Sequence, residues 1–171
     1  MNRTKAGGHV LLVVDDCEND LQVFQRAWRM LDFEWSLSLL RGGKECLDYL
    51  IRRNGYSDPK TSPRPSLLIL DLQMPGTDGF EVLRQIKSLP ALKRLPIVVL
   101  SALTSEAVVA RCYDLGANAY IVKPPGGSEL LEALKKIYQF WQLADLPGLT
   151  LTGNEPADDP TPDSPLSAPA R

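Results

Sequence analysis

Apolar residues along this chain follow two different rhythms. Runs at 10–14, 67–70, 97–100 and 119–122 are apolar almost without interruption. Runs of that length read as strands buried on both faces of a parallel sheet, and they are far too short to span a bilayer. Trp35, Leu37 and Leu39 instead alternate with Glu34, Ser36 and Ser38, which predicts a half-exposed strand. Elsewhere the apolar positions recur at helical spacing: Leu21, Phe24, Trp28 and Leu31; Cys46, Leu47, Leu50 and Ile51; Phe80, Leu83 and Ile86; Ala107, Val108 and Cys112. A last helix is predicted from about Ser128 to Leu143.

Punctuation between these segments agrees with the pattern. Glu18, Asn19 and Asp20 suit a helix start, Met74-Pro75-Gly76 stops the strand before it, and Gly116 ends a helix. Residues 54–65, with Gly55, Pro59, Pro63 and Pro65, form a long irregular loop. Strand and helix thus alternate five times, which predicts an α/β fold with a doubly wound five-stranded parallel sheet and helices on both faces. The expected boundaries are a flexible N-terminus over 1–7, one domain over 8–146 with an extended last helix, and a disordered tail over 147–171 rich in Pro, Asp, Thr and Ser.

Composition narrows the setting. With 44% hydrophobic and 23% charged residues, the 171-residue chain has the balance of an ordinary globular protein. Three cysteines, Cys17, Cys46 and Cys112, show no metal-like spacing and fit thiols in a reducing compartment. The basic start precedes only a short apolar run and then two aspartates, unlike a signal peptide. The expectation is a cytoplasmic protein without membrane association. Five acids from Ala144 onward face one Arg, which leaves the body near +2. That is no nucleic-acid-binding footprint.

Chemistry collects where the predicted strands end: Asp15-Asp16, Asp71, Ser101 and Lys123. In a doubly wound sheet the carboxyl ends of the strands share one edge, where ligands bind. Each residue also has a plain alternative, since acids and Ser cap helices and turns and a Lys before Pro is commonly solvated. Gathered together, the three carboxylates repel by roughly 3 to 4 kcal/mol per pair at an effective dielectric near 20. Such a set suits Mg²⁺ with waters and a phosphate oxygen. Asp71 can then attack phosphorus, with Lys123 neutralising charge and Ser101 donating a hydrogen bond.

Over about residues 8 to 143 the chain resembles a receiver domain of a two-component response regulator. The resemblance rests on Asp15-Asp16, the run Leu70-Asp71-Leu72-Gln73-Met74-Pro75-Gly76-Thr77-Asp78-Gly79, Ser101-Ala102, and Ala119 through Pro124, matching in order and spacing. It implies a flavodoxin-like strand order 2-1-3-4-5 and phosphorylation of Asp71 by a histidine kinase's phosphohistidine. It also implies Mg²⁺ held by Asp16, Asp71 and the backbone carbonyl of Gln73, with Asp15 acting through water, and Tyr120 as a switch aromatic beside Ser101. A cis peptide before Pro124 is a further implication, compatible with the tolerance of X-Pro bonds. The resemblance makes the protein a phosphoacceptor switch whose only catalysis is its own phosphotransfer.

The loop over 54–65, Leu92 through Pro96 and the pair Phe140-Trp141 are similar to phytochrome-associated single-domain response regulators, some of which dimerise through an extended last helix. The kinase expected is thus a phytochrome. Leu130, Leu134, Ile137 and Trp141 form one apolar stripe of the last helix; Leu131, Tyr138 and Phe140 suggest a second. One stripe covers the sheet, and the second, with Trp141, is the expected homodimer interface. Departures are Pro125, where many receivers have an aromatic, and Leu103, which cannot position a hydrolytic water and so predicts slow self-dephosphorylation.

Rival readings fare less well. A haloacid-dehalogenase-type phosphatase needs a second Asp two positions after the nucleophile, where this chain has Gln73. A nucleotide or flavin module needs a glycine-rich first turn, and this one is Asp15-Asp16-Cys17-Glu18-Asn19. An inert scaffold or dimerisation module would be expected to lack part of the acid set. Few residues follow Leu143, so output is expected from a changed surface made by the fourth helix, the Tyr120 strand and the last helix.

Overall fold

The computed structural model describes residues 8–31 and 33–147. The expected flexible N-terminus, and the expected tail apart from Pro147, lie outside the described residues. The elements run β1 (Val10–Val14), α1 (Glu18–Met30), β2 (Ser36–Leu40), α2 (Gly43–Leu50), β3 (Leu67–Leu70), α3 (Gly79–Ser88), β4 (Ile97–Ser101), α4 (Glu106–Asp114), β5 (Ala119–Val122) and α5 (Gly127–Leu143). All strand pairs are parallel, in the order β2-β1-β3-β4-β5.

The three central strands, β1, β3 and β4, are buried throughout, because successive side chains enter opposite cores. Leu12, Val14, Leu68, Leu70 and Val99 pack with Cys46 and Leu50 of α2, Val82, Leu83 and Ile86 of α3, and Cys112 of α4. Leu11, Val13, Leu67, Ile69, Val98 and Leu100 pack on the other face with Leu21, Phe24 and Ala27 of α1 and Leu130, Leu134 and Ile137 of α5. Each fully buried aliphatic contributes roughly 1.5–3 kcal/mol, so the central strands anchor both layers. The edge strands β2 and β5 are only partly covered.

Register brings the strand ends level. Val14 pairs Leu70, and Leu70 pairs Val99, while Ser101 pairs Val122. The ladder continues one step past each strand: Asp15 N–H donates to the Leu40 carbonyl at 3.1 Å, Asp71 N–H to Val14 at 3.0 Å and Lys123 N–H to Ser101 at 2.9 Å. Backbone hydrogen bonds therefore set Asp15, Asp71, Ser101 and Lys123 along one edge.

Two further regions bear on function. The irregular stretch after α2 is tied back by Tyr49, whose hydroxyl donates to the Pro63 carbonyl at 2.7 Å, and by an Arg64 guanidinium bond to the Leu50 carbonyl. On α5, Tyr138 corrects the sequence expectation. It is 7% exposed, its ring stacked on Phe33 at 3.9 Å and edge-on to Trp28 and Trp35 at 5.9 and 5.6 Å. The Tyr138 hydroxyl accepts from the Glu34 N–H at 3.0 Å. At about 100° per residue, Tyr138 lies about 40° from Leu134 and about 20° from Leu131, so it belongs to the rim of the core-facing stripe. Tyr138 is thus core and not interface, and Leu131 and Trp141 also pack partly against that core. Phe140 is 64% exposed. Among the described residues no helix is long and apolar enough to cross a membrane.

Candidate functional site

Asp71 follows β3 directly, and its carboxylate is fixed through one oxygen. Oδ1 accepts the Leu72 N–H at 2.6 Å and the Gln73 N–H at 3.3 Å. Oδ2 faces the Lys123 ammonium at 3.8 Å, an ion pair too long for a direct hydrogen bond. The loop that follows turns at Gly76, whose φ of +82° is one that L side chains rarely adopt. It returns to α3 at Gly79, where a Cβ would lie 2.3 Å from the Asp71 carbonyl oxygen. Only glycine lets α3 start that close to the acid. Asp78 caps the helix, accepting the Glu81 N–H at 2.8 Å.

Asp15 and Asp16 close the other side. One carboxylate oxygen from each of Asp15, Asp16 and Asp71 lies within 4.8 Å of the others, with Asp15 and Asp71 buried and Asp16 exposed. Two ionised carboxylates at that separation repel by about 3 kcal/mol at an effective dielectric near 20. Burial raises the Asp15 pKa, an effect reduced by the bonds from Lys123 and the Cys17 N–H and reinforced by the Asp71 charge. A hard divalent cation fits this set by its donor chemistry, an open trio of oxygen donors with one member at the solvent. The Met74 and Gly79 N–H groups both donate to the Leu72 carbonyl, at 3.2 and 3.0 Å, and so shape the loop that carries Gln73.

Lys123 is drawn away from Asp71 by two other acids. Its Nζ lies 2.6 Å from Asp15 Oδ2 and 2.6 Å from Asp20 Oδ2. Burial disfavours the ammonium, but these bonds and the charges of Asp15 and Asp71 outweigh it, and its pKa is raised. Asp20 is the site residue that sequence reasoning missed, having been read only as a helix-start acid. The available signal was its spacing: it stands four residues after Asp16, one turn into a helix that begins at the sheet edge.

Ser101 is fully buried, and its Oγ has no hydrogen-bond partner among the described residues. An unmet buried hydroxyl at this edge is a donor available to a ligand oxygen. Beyond it, the Tyr120 hydroxyl donates to the Leu103 carbonyl at 2.7 Å and the Tyr120 N–H donates to the Tyr113 hydroxyl at 3.2 Å. Burial raises the Tyr120 pKa, as do the neighbouring Cys112 and Asp71. Arg111 of α4 lies 4.1 Å over the Phe80 ring of α3. The Lys123–Pro124 bond is trans, as is every peptide among the described residues, which corrects the cis expectation. Trans is the intrinsically preferred isomer, by about 0.5–1 kcal/mol, and Lys123 reaches its acids with it.

Comparison with known proteins agrees with the geometry. The family model of the response regulator receiver domain matches residues 11–135. Response regulator Rcp1 of Synechocystis sp. is 36% identical over 132 residues, which cover 77% of this chain and 88% of that protein. The crystal structure of the phosphorylated cyanobacterial phytochrome response regulator RcpA superimposes with a TM-score of 0.77 at 36% identity, covering 83% of this chain and all of that one. The Mn²⁺-bound form of Rcp1 superimposes with a TM-score of 0.75 at 35% identity, over 82% of this chain and 99% of that one. The narrower similarity to phytochrome response regulators thus holds in both sequence and fold. With the five-stranded order, the level strand ends and the acid cluster all in place, the chain belongs to the response regulator receiver domain family.

Proposed function

We propose that Asp71 is the phosphoacceptor of a two-component relay, and that the donor is the phosphohistidine of a histidine kinase of the phytochrome class. The observation carrying this is the Asp71 carboxylate itself, with Oδ1 pinned by two backbone N–H groups and Oδ2 turned to Lys123. Oδ2 attacks phosphorus, the P–N bond breaks, and the electron pair returns to the donor imidazole, which takes up a proton. Lys123 and Ser101 stabilise charge on the transferring oxygens. Asp16, Asp71 and the Gln73 carbonyl, helped by Asp15, would hold Mg²⁺, which would supply the remaining neutralisation. The protein acts as a switch and not as a turnover enzyme.

The readout is a changed surface. Tyr120 joins the site to α4 through its bonds to Leu103 and Tyr113, which supports its role as the switch aromatic. A groove of about 920 Å³ runs between β5 and α5, lined by Ile121, Ala133, Lys136, Phe140 and Trp141 among others. With Phe140, Val122 and Leu143 exposed beside it, this face supports a homodimer through the last helix, now without Tyr138. The deciding experiment is phosphotransfer from candidate phytochrome kinases to the wild type and to Asp71→Asn. Label should appear on the wild type alone; label retained by the variant would refute the assignment.

A further inference from the structure

Asp20 stands outside the acid trio, yet it makes one of the two shortest contacts to the site's cation, 2.6 Å from Lys123 Nζ. Its backbone is fixed in the first turn of α1, where its N–H donates to the Cys17 carbonyl at 3.1 Å. Its side chain is 27% exposed, so it enters from the rim of the pocket, while Lys123 is 11% exposed. An ammonium has three donors. Two are directed at Asp15 and Asp20, and Asp71 is left at 3.8 Å.

We propose that Asp20 is a positioning residue that holds Lys123 in the resting site and competes with an arriving phosphoryl group for its ammonium. The inference rests on the phosphoacceptor reading of Asp71. Among the described residues three carboxylates, Asp15, Asp20 and Asp71, face the Lys123 ammonium, with Asp16 beside Asp15 and Asp71. Phosphorylation replaces the single negative charge of the Asp71 carboxylate with an acyl phosphate carrying up to two, all of it on oxygens that need the same ammonium. Asp15, Asp16 and Asp71 form the group suited to a metal; Asp20 lies outside it and faces the lysine, neutralising the cation the phosphoryl group needs. Asp20 thereby raises the threshold for occupation of Asp71 and loses its partner once that threshold is passed.

The test uses beryllofluoride, which a carboxylate oxygen ligates in the shape of an acyl phosphate, titrated calorimetrically in saturating Mg²⁺ into the full chain. Asp20→Asn should bind it about three- to tenfold more tightly than wild type, as one screened charge close to the phosphoryl position is removed. Asp20→Glu, which keeps the charge, should stay within about twofold of wild type on the same reasoning. Mg²⁺ alone should bind Asp20→Asn no better than wild type, because a nearby negative charge is lost. A merely structural Asp20 would weaken both ligands together. Unchanged or weaker beryllofluoride binding by Asp20→Asn, a matching gain by Asp20→Glu, or an equal gain in Mg²⁺ affinity would each overturn the inference. Asp71→Asn separates the two readings: a wild type that binds beryllofluoride no better than Asp71→Asn would remove the phosphoacceptor reading and this inference with it.

Discussion

The Tyr120 hydroxyl donates to the backbone carbonyl of Leu103 at 2.7 Å, tying the ring of β5 to the loop between β4 and α4. That loop follows Ser101, the last residue of β4, whose hydroxyl is buried and has no partner among the described residues. Anything that engages Ser101 therefore acts next to a segment that the Tyr120 phenol helps to hold. Tyr120→Phe should lower stability by about 0.5–1.5 kcal/mol. Its larger effect should be local: amide hydrogen exchange over residues 102–105 should accelerate by more than the change in global stability, as measured by mass spectrometry.

Leu103 contributes its carbonyl to that tether, while its side chain packs partly against the core. Leu103→Asn should leave the tether intact and give the site a side chain able to hold water. The phosphoryl lifetime should shorten in the variant, followed by loss of radiolabel after the donor is removed. A wild-type lifetime of only seconds would contradict the assignment of slow hydrolysis to Leu103.

Burial lifts the Asp15 carboxyl above its ordinary value of 3.8. The folded state then holds this proton more tightly than the unfolded chain does. The associated stability is present below the ordinary carboxylate value and is lost as pH rises through the raised one. Lys123 shifts the opposite way in consequence: its pKa is also raised, but its contribution is intact at neutral pH and is lost only in the alkaline range. Asp15→Asn should therefore gain on wild type as pH rises above about 4, until the wild-type carboxyl is fully ionised, in urea unfolding without divalent ions.

Relief of carboxylate repulsion should appear as metal-dependent stability. At a hundredfold excess of Mg²⁺ over its dissociation constant, the wild type should gain about 2.7 kcal/mol. Asp16→Asn and Asp71→Asn should each lose most of that gain while unfolding cooperatively without metal. Thermal melts with and without EDTA measure both.

The two aromatics of α5 should separate cleanly. Phe140 is exposed, so Phe140→Ala should change monomer stability by no more than about 0.5 kcal/mol while weakening self-association in light scattering. Tyr138 is buried between Phe33, Trp28 and Trp35, so Tyr138→Ala should cost about 3–5 kcal/mol whatever the oligomeric state.

Strand-end chemistry was legible because a buried parallel strand leaves a plain mark: an apolar run, then a polar residue where pairing stops. Asp15, Asp71, Ser101 and Lys123 all follow that rule, and the ladder sets them level. Asp20 escaped because an acid in a first helical turn already has a sufficient reason to be there, the helix dipole, and only the fold brings Lys123 to it. Tyr138 was misassigned for a geometric reason, since the two stripes overlap on a helix turning about 100° per residue. Its burial depends on Phe33 and Trp35, which no local pattern on α5 can reveal.

Lys123 and Asp15 are joined across 108 positions of sequence, and the lysine follows β5, a strand that pairs only with β4. The cation thus arrives late in synthesis, after every acid it serves has left the ribosome. A growing chain that has laid down the first four strands carries the acids without their lysine. Completion of the sheet and completion of the charged site are then a single event.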